Sequence, residues 1–329
     1  MYDIYGLGNA LVDTEYMVEE SFLRDQNVDK GLMTMIDADR LQQLNDALHE
    51  RNAKRMSGGS AANSMYAAQG FGAQTFYSCK VGHDPVGEHF IEDLTNAGVR
   101  VNPNAQGAPG RSGESLILIT PDADRSMNTY LGISTQLSSA EIDESALRTS
   151  RYFYFEGYLS ANESSYAAAV AGREIAESAG VKTCVSLSDP SMVAAFREPL
   201  EAMLGNGVHQ IFCNEEEALS WAHTDRMDIA IAELKDIAQV LSITLGAKGS
   251  LSVVDGHQKA VPGVSVKPTD TTGAGDIYAG AYLAMVAAGA DAIIATRFAN
   301  HCAGYLVTEV GPRLRGPSEY QALKARFTA

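Results

Sequence analysis

The sequence predicts an α/β fold, a mainly parallel sheet covered by helices on both faces, with a small β-rich piece attached. Three features carry this. From Tyr152 onward, short apolar runs alternate with longer helical stretches, the pattern of parallel strands joined by crossover helices. Glycine turns punctuate that alternation. Two stretches, 14–36 and 107–136, depart from it and read as β-rich insertions without a crossover helix.

The elements follow in order. "YDIYGLGNALVD" reads as a buried strand ending in a glycine turn. Residues 14–36 have room for short strands but lack the spacing of a strong helix. "DADRLQQLNDALHERNA" spaces Leu41, Leu44 and Leu48 on one helical face, with Asp37 or Asp39 as N-cap. "SGGSAANSMYAAQGFG" is a glycine turn and a small-residue helix. "TFYSCKVG" is a strand, and "GEHFIEDLTNAG" a helix closed by Gly98. "GESLILITPDADRSMNTYLG" reads as an antiparallel hairpin turning at 121–124. Then come "YFYFEGY" (strand), "ESSYAAAVAGREIAESAG" (helix), "KTCVSLS" (strand), "MVAAFREPLEAMLG" (helix), "HQIFCN" (strand) and "EEEALSWA" (helix). "LSITLG", "GSLSVVDG" and "HQKAVPG" add three strands before "DTTGAGD" opens a helix, and "RFANHCAGYLV" is the last helix expected. The expected division is a large unit of 1–13, 37–106 and 137–329, with insertions 14–36 and 107–136 forming a lid.

Composition narrows the function. The chain has 329 residues, 45% hydrophobic and 20% charged, and a formal net charge of −16. Such a charge argues against a general binder of nucleic acid or acidic membrane, both of which need a basic surface. The four cysteines, Cys79, Cys184, Cys213 and Cys302, form no C-x-x-C pair, so neither zinc nor a disulfide framework is expected. The first residues lack the basic start of a secretory signal, and no apolar run reaches membrane-spanning length. A cytoplasmic protein is expected.

"DTTGAGD", Asp270 to Asp276, carries the most chemistry. A helix N-terminus offers unpaired N–H groups and partial positive charge. Glycine lets a ligand approach the backbone closely. Gly273, Ala274 and Gly275 can therefore aim N–H groups at an anion. Asp276 beside a phosphate is repelled by it unless it has a task, such as taking the proton of an attacking hydroxyl. A capping aspartate is the alternative, but it accounts for Asp276 alone and not for the whole string.

D-T-x-G-A-G-D followed by a small-residue helix resembles the C-terminal signature of the ribokinase family, the PfkB carbohydrate kinases. The resemblance spans nearly the whole chain. Gly58, Gly59 and Asn63 in "GGSAAN" are similar to the family's sugar-binding G-G-x-x-x-N, and "GHDPVG" to its G-x-D-x-x-G turn. "NEEE", Asn214 to Glu217, matches N-x-x-E, associated with magnesium and phosphate placement. "TLGAKG", with Thr244, Gly246 and Gly249, matches the nucleotide loop T-x-G-x-x-G. Mg2+ keeps several waters and rarely sits in an all-protein cage, so Glu217 would act through water with Asn214 beside it. A dipole-stabilised first helical turn is the alternative for these acids.

The resemblance implies a ribokinase-like fold and an ATP-dependent phosphotransferase using Mg2+. It puts Asp13 and Asn9 at sugar hydroxyls and Asn300 beside the adenine. "GLGNALVD" is not a dinucleotide fingerprint, since Leu11 stands where the third glycine belongs. Neither the P-loop string nor the protein-kinase set is present. Within the family, "GNALVD", "GGSAANS", "SLSDPSMVAAF" and "NEEEALSWA" resemble the adenosine kinase branch. That likeness points to Arg125 near the transferring phosphate and to Tyr158 beside the substrate base, where the branch has phenylalanine. It also places a monovalent cation, K+, near Asp270 and Thr272. A nucleoside, adenosine first, is the expected acceptor. A free sugar such as ribose or a keto-sugar is the alternative, and a non-catalytic ligand-binding protein on this fold a remote one. The protein is expected to be a monomer or homodimer.

Overall fold

The computed structural model describes residues 1–102, 109–122 and 124–328. Residues 103–108, 123 and 329, which the expected division assigns to the large unit or the second insertion, lie outside the described residues. Among the described residues the strands are β1 (Ile4–Leu7), β2 (Leu11–Met17), β3 (Met33–Met35), β4 (Ala53–Gly58), β5 (Thr75–Ser78), β6 (Arg100–Val101) and β7 (Gly113–Ile119). They continue as β8 (Arg125–Tyr130), β9 (Tyr152–Glu156), β10 (Lys182–Ser186), β11 (Val208–Asn214), β12 (Ala238–Thr244), β13 (Ser250–Val254) and β14 (His257–Val261).

Nine of these form one sheet, ordered β14-β13-β12-β11-β10-β9-β1-β5-β6. Pairings are parallel except β12 with β13 and β13 with β14. Alternation along each strand sends successive side chains to opposite faces. Ile4, Tyr77, Tyr154 and Phe212 pack on one face against the helices Ser60–Gly70, Ala274–Ala287 and Ala292–Leu306. Tyr5, Phe153, Phe155 and Ile211 pack on the other face, under the helices Glu163–Ser178, Arg197–Leu204 and Met227–Ile237. The expected α/β architecture is therefore present. At β1 the connections run both ways, to β5 and to β9, so the carboxyl ends of β1 and β9 open a crevice where open α/β sheets bind ligands.

A second sheet has the order β3-β8-β7-β2-β4. The hairpin β7–β8 is antiparallel, as its turn residues suggest. One face packs Tyr16, Leu116 and Leu118 on Leu41, Leu44 and Leu48 of the helix Ala38–Leu48, capped by Asp37. The division needs correcting at two places. β4 lies within 37–106 but pairs with β2 in the smaller sheet, and β2 begins at Leu11, before the expected boundary. β4 is an edge strand exposed over its first three residues, so its sequence shows no hydrophobic alternation.

Other differences have local causes. "MVAAFREPLEAMLG" is two helices, Pro190–Ala195 and Arg197–Leu204, broken at Phe196 (φ −125°, ψ 39°). In one continuous helix, Pro199 would lack the N–H for the Ala195 carbonyl and its ring would strike that carbonyl. The short helix Glu20–Asp25 and the helices Met227–Ile237 and Pro317–Ala325 were not marked by the sequence pattern. The last of these buries Tyr320 and Leu323 in the core. Among the described residues no helix is long and apolar enough to cross a membrane.

Small residues explain how two of the helices meet. A Cβ on Gly280 would stand 2.4 Å from the Ser64 carbonyl oxygen and 2.8 Å from the Ala67 Cβ. The helices Ser60–Gly70 and Ala274–Ala287 thus touch backbone to backbone, which aligns their first turns. Gly280→Val is expected to force them apart and to lower unfolding free energy by about 1–3 kcal/mol or more, measured by denaturant titration.

Candidate active site

Two glycines start the two helices, each for its own steric reason. Gly273 has φ +75°, and a Cβ there would lie 2.2 Å from the Pro312 carbonyl oxygen. Gly59 has φ +95°, and a Cβ there would lie 2.6 Å from the Asn9 carbonyl oxygen. Gly275 differs from both: a Cβ on it would meet nothing within 4 Å. Its missing side chain leaves open space in front of the helix N-terminus.

Asp276, in the first turn of the helix Ala274–Ala287, points toward the other helix start. Its Oδ1 accepts from Ser60 Oγ at 2.6 Å and its Oδ2 from Asn63 Nδ2 at 3.0 Å. Burial pushes its carboxyl up to about 6, although the two donors pull the other way. A carboxylate with that pKa, in hydrogen-bonding company, can take a proton near neutral pH. Asn63 Oδ1 is buried and has no partner among the described residues, so an acceptor faces this space unused.

Asp13 comes from β2, opposite Met56 of β4. A Cβ on Gly58 would stand 2.5 Å from Asp13 Oδ2, so glycine there makes room for the carboxylate. Burial raises the Asp13 pKa to about 6; Arg313 opposes the rise and Glu15 adds to it. Asn9, just past β1, fastens the crevice. Its N–H donates to Glu156 at 2.8 Å, its carbonyl accepts from Tyr77 at 2.8 Å, and its Oδ1 accepts from Ser134 at 3.1 Å. Glu156 is fully buried at the end of β9 and also accepts from Ala61 N at 2.6 Å. Burial lifts it to about 7 against those hydrogen bonds.

On the other side of the glycine turn lies a cleft of about 260 Å3. Thr244, Gly246 and Gly249 from the β12–β13 turn and Ala274, Gly275 and Asn300 are among its walls. Gly246 and Gly249 have φ of +58° and +96°, and a Cβ on Gly246 would meet nothing within 4 Å. Both donor hydrogens of Asn300 are spent on protein, on the Val261 and Pro262 carbonyls, and its Oδ1 accepts from Ser250. It holds the cleft wall in place.

Asn214 and Glu217 form a reciprocal capping box at the end of β11: Asn214 Oδ1 accepts from Glu217 N at 2.7 Å and Glu217 Oε2 from Asn214 N at 3.1 Å. Burial raises Glu217 to about 7. Arg125 of β8 donates to Glu15 at 2.5 Å and lies 3.5 Å from Asp270. Asp270 accepts from Thr272 N and Gly311 N, both at 2.9 Å. Burial would raise its pKa, but these donors and Arg125 hold it below the usual carboxylate range. Tyr158, in the turn Gly157–Ala161, has its hydroxyl pKa raised by burial and by nearby Asp189, Asp276, Glu156 and Glu217.

Residues 27–318 match the family described as pfkB family carbohydrate kinase. The chain belongs to that family. It is 31% identical over 251 residues to a ribokinase of Mus musculus, covering 74% of this chain and 75% of the relative. It is 27% identical over 334 residues to an adenosine kinase of Saccharomyces cerevisiae, covering 95% of this chain and 96% of the relative. Its fold matches the crystal structure of an adenosine kinase from Sinorhizobium meliloti with TM-score 0.87 and 32% identity, covering 98% of this chain and 99% of that one. The protein is thus a ribokinase-like phosphotransferase acting on hydroxyl groups, of a family that uses ATP.

In this pfkB kinase many of the sequence-expected residues fall into two neighbouring groups, with Asn214 and Glu217 in their own capping box and Arg125 and Asp270 paired apart from both. Asn9, Asp13, Gly58, Gly59, Asn63 and Asp276 meet at the crevice, while Thr244, Gly246, Gly249, Gly275 and Asn300 meet at the cleft. Two polar residues, Ser60 and the buried Glu156, escaped the sequence reading. Ser60 sits within "GGSAAN" but reads as a filler position. Glu156 is the one charged residue of "YFYFEGY", a signal that was legible there. The two glycines of the turn should separate experimentally. Gly273→Ala is expected to cost about 2 kcal/mol or more of stability, from its positive φ and the Pro312 contact. Gly275→Val should leave the thermal midpoint nearly unchanged yet slow phosphoryl transfer at least tenfold, by roughly 1.4 kcal/mol or more of barrier.

Proposed function

We propose that this kinase transfers the γ-phosphate of ATP to the 5′-hydroxyl of a nucleoside, with adenosine the first candidate. The observation that carries the reading is the Asp276 carboxylate, fixed by Ser60 and Asn63 between the open face of Gly275 and the unpaired Oδ1 of Asn63. ATP lies along Thr244, Gly246 and Gly249 with its phosphates toward the glycine turn. Asp13, Gly59, Asn63 and Asn9 hold ribose hydroxyls and aim the primary hydroxyl at Asp276.

The hydroxyl oxygen attacks the γ-phosphorus as its proton passes to Asp276. The new O–P bond forms, the bridging bond to the β-phosphate breaks, and ADP leaves. The N–H groups of Gly273 and Gly275 hold the charge that grows on the equatorial oxygens, whereas the Ala274 N–H, expected to join them, donates to the Thr271 carbonyl at 3.2 Å; Arg125 adds a positive charge on the lid side. Bound Mg2+ neutralises phosphate charge. Glu217 would hold it through water, consistent with a carboxylate already engaged with Asn214. K+ fits less well at Asp270, whose two oxygens are taken by backbone N–H groups with Arg125 alongside; the backbone carbonyls near Asp270 and Thr272 would have to hold it. The smaller sheet acts as a lid that excludes water, which would otherwise compete with the acceptor.

The substrate rests on Tyr158. An aromatic face that receives a base contributes roughly 1–3 kcal/mol, about a ten- to hundredfold preference for nucleoside over free ribose. The likeness to a mouse ribokinase keeps a free sugar as the second reading.

Asp276→Asn should lower turnover by roughly 10²–10⁴-fold. In the wild type, kcat/KM should climb with pH through about 6, where the carboxyl ionises. Its folded pKa is raised, so the stability it contributes is present below the ordinary aspartate pKa and lost as pH rises through about 6. The asparagine variant should therefore be no less stable than the wild type at pH 8, by denaturant titration, which separates a lost base from a lost fold. Turnover near the wild-type value in a correctly folded Asp276→Asn would remove the assignment.

A phosphorylation screen over nucleosides and sugars with ATP and Mg2+ tests the acceptor. Adenosine should surpass ribose, and Tyr158→Ala should raise the KM for adenosine far more than for ribose. Much faster phosphorylation of any free sugar would leave only the sugar-kinase reading.

A further inference from the structure

A second cavity, of about 500 Å3, lies along the free edge of β4, where the smaller sheet meets the 308–315 segment. None of its lining residues belongs to the crevice or the nucleotide cleft described above. Its charge stands out in a chain of net charge −16: Lys54, Arg55, Arg313 and Arg315 line it, against Asp93 and Glu309. The acids are spoken for. Asp93 Oδ2 accepts from Ser57 N, Ser57 Oγ and Arg313 Nη2 at 2.9, 2.6 and 2.8 Å. Glu309 pairs with Arg315 at 3.7 Å.

Arg313 is nearly buried, stacked 4.2 Å over the Tyr66 ring and tied to Ser57 at 2.9 Å. It is thus a fixed positive charge in the wall. Lys54, Arg55 and Arg315 are exposed; Lys54 lies 3.8 Å from Glu15, Arg315 3.7 Å from Glu309 and Arg55 beside the Tyr16 hydroxyl, loose surface contacts that an incoming anion can displace. The edge has already shown what it accepts, because Ser57 N, on the unpaired side of β4, holds the Asp93 carboxylate. Arg55 N, two residues along, shares that side by the period of the strand. Met56, Tyr66, Val310 and Leu314 supply apolar wall.

We propose that this cavity is a binding site for a small phosphate monoester, separate from the reaction centre. Basic residues from two elements, β4 and the 308–315 segment, line the cavity. That suits a tetrahedral group with three outer oxygens better than a flat carboxylate. The volume accommodates a phosphorylated sugar or a mononucleotide, and the apolar wall receives its carbon part.

Calorimetric titration of the full chain with ribose 5-phosphate, inorganic phosphate and citrate tests the site, with a non-hydrolysable ATP analogue saturating the nucleotide cleft. Ribose 5-phosphate should bind the wild type and Asp276→Asn, which disables the reaction centre away from the cavity wall, alike. Arg55→Glu combined with Arg315→Glu should weaken that binding by about tenfold or more. Inorganic phosphate should show the same loss from a weaker start. Should the double reversal unfold, Arg315→Ala, at a side chain 88% exposed, still has to weaken binding in the same direction. The site is overturned by no binding to the wild type, by binding that survives these variants, by loss in Asp276→Asn alone, or by citrate binding as tightly as ribose 5-phosphate.

Discussion

The hydrogen bonds from Ser60 and Asn63 to Asp276 join the two halves of the candidate site. They cross from one helix start to another, between residues more than two hundred positions apart in the chain. Both donors exist only because the helix after Gly59 begins where it does. The acceptor is in place only because the helix after Gly273 lies against the first one at backbone distance. Shifting either helix by the width of a methyl group would leave a half-buried carboxylate without its two donors, at the cost of both hydrogen bonds.

That carboxylate does not stand alone. Asp13, Glu156, Glu217 and Asp276 all have raised pKa values, and in each case burial is the first cause. Asp276 adds to the rise of the other three through its own charge. A cluster of acids held near neutrality costs stability and gains readiness for proton transfer, a combination typical of functional sites. Hydrogen bonds and two arginines limit the cost. Arg313 faces Asp13, and Arg125 links Glu15 to Asp270. With Lys54 beside Glu15 at 3.8 Å, charged groups run from the edge of the smaller sheet to the glycine turn. The smaller sheet and the glycine turn are thereby tied electrostatically as well as by chain.

Much of this was legible in the sequence because glycines and acids in short strings report local geometry. "DTTGAGD" and "GGSAAN" announce two helix starts that admit a ligand, and the alternation after Tyr152 announces the parallel sheet. What escaped shares a physical cause, namely dependence on a distant partner. Ser60 is an ordinary serine until Asp276 stands opposite it. Glu156 becomes necessary once the N–H groups of Asn9 and Ala61 need an acceptor in the crevice. β4 becomes a strand by pairing with β2, its own side chains being too exposed to show a pattern. The break at Phe196 could have been read from Pro199, a local signal overridden by the apolar spacing around it.

The sequence by itself determined the class of fold, the order of elements and the two glycine turns, since these follow from periodicity and from backbone freedom within a few residues. Tertiary structure decided which groups face one another. It put Asn63 and Asp276 in one hydrogen bond, spent the amide of Asn300 on the cleft wall, and tied both oxygens of Asp270 to the backbone. It also gathered Lys54, Arg55, Arg313 and Arg315 around one cavity. Burial and charge proximity are sums over neighbours in space, and no window of the chain contains them.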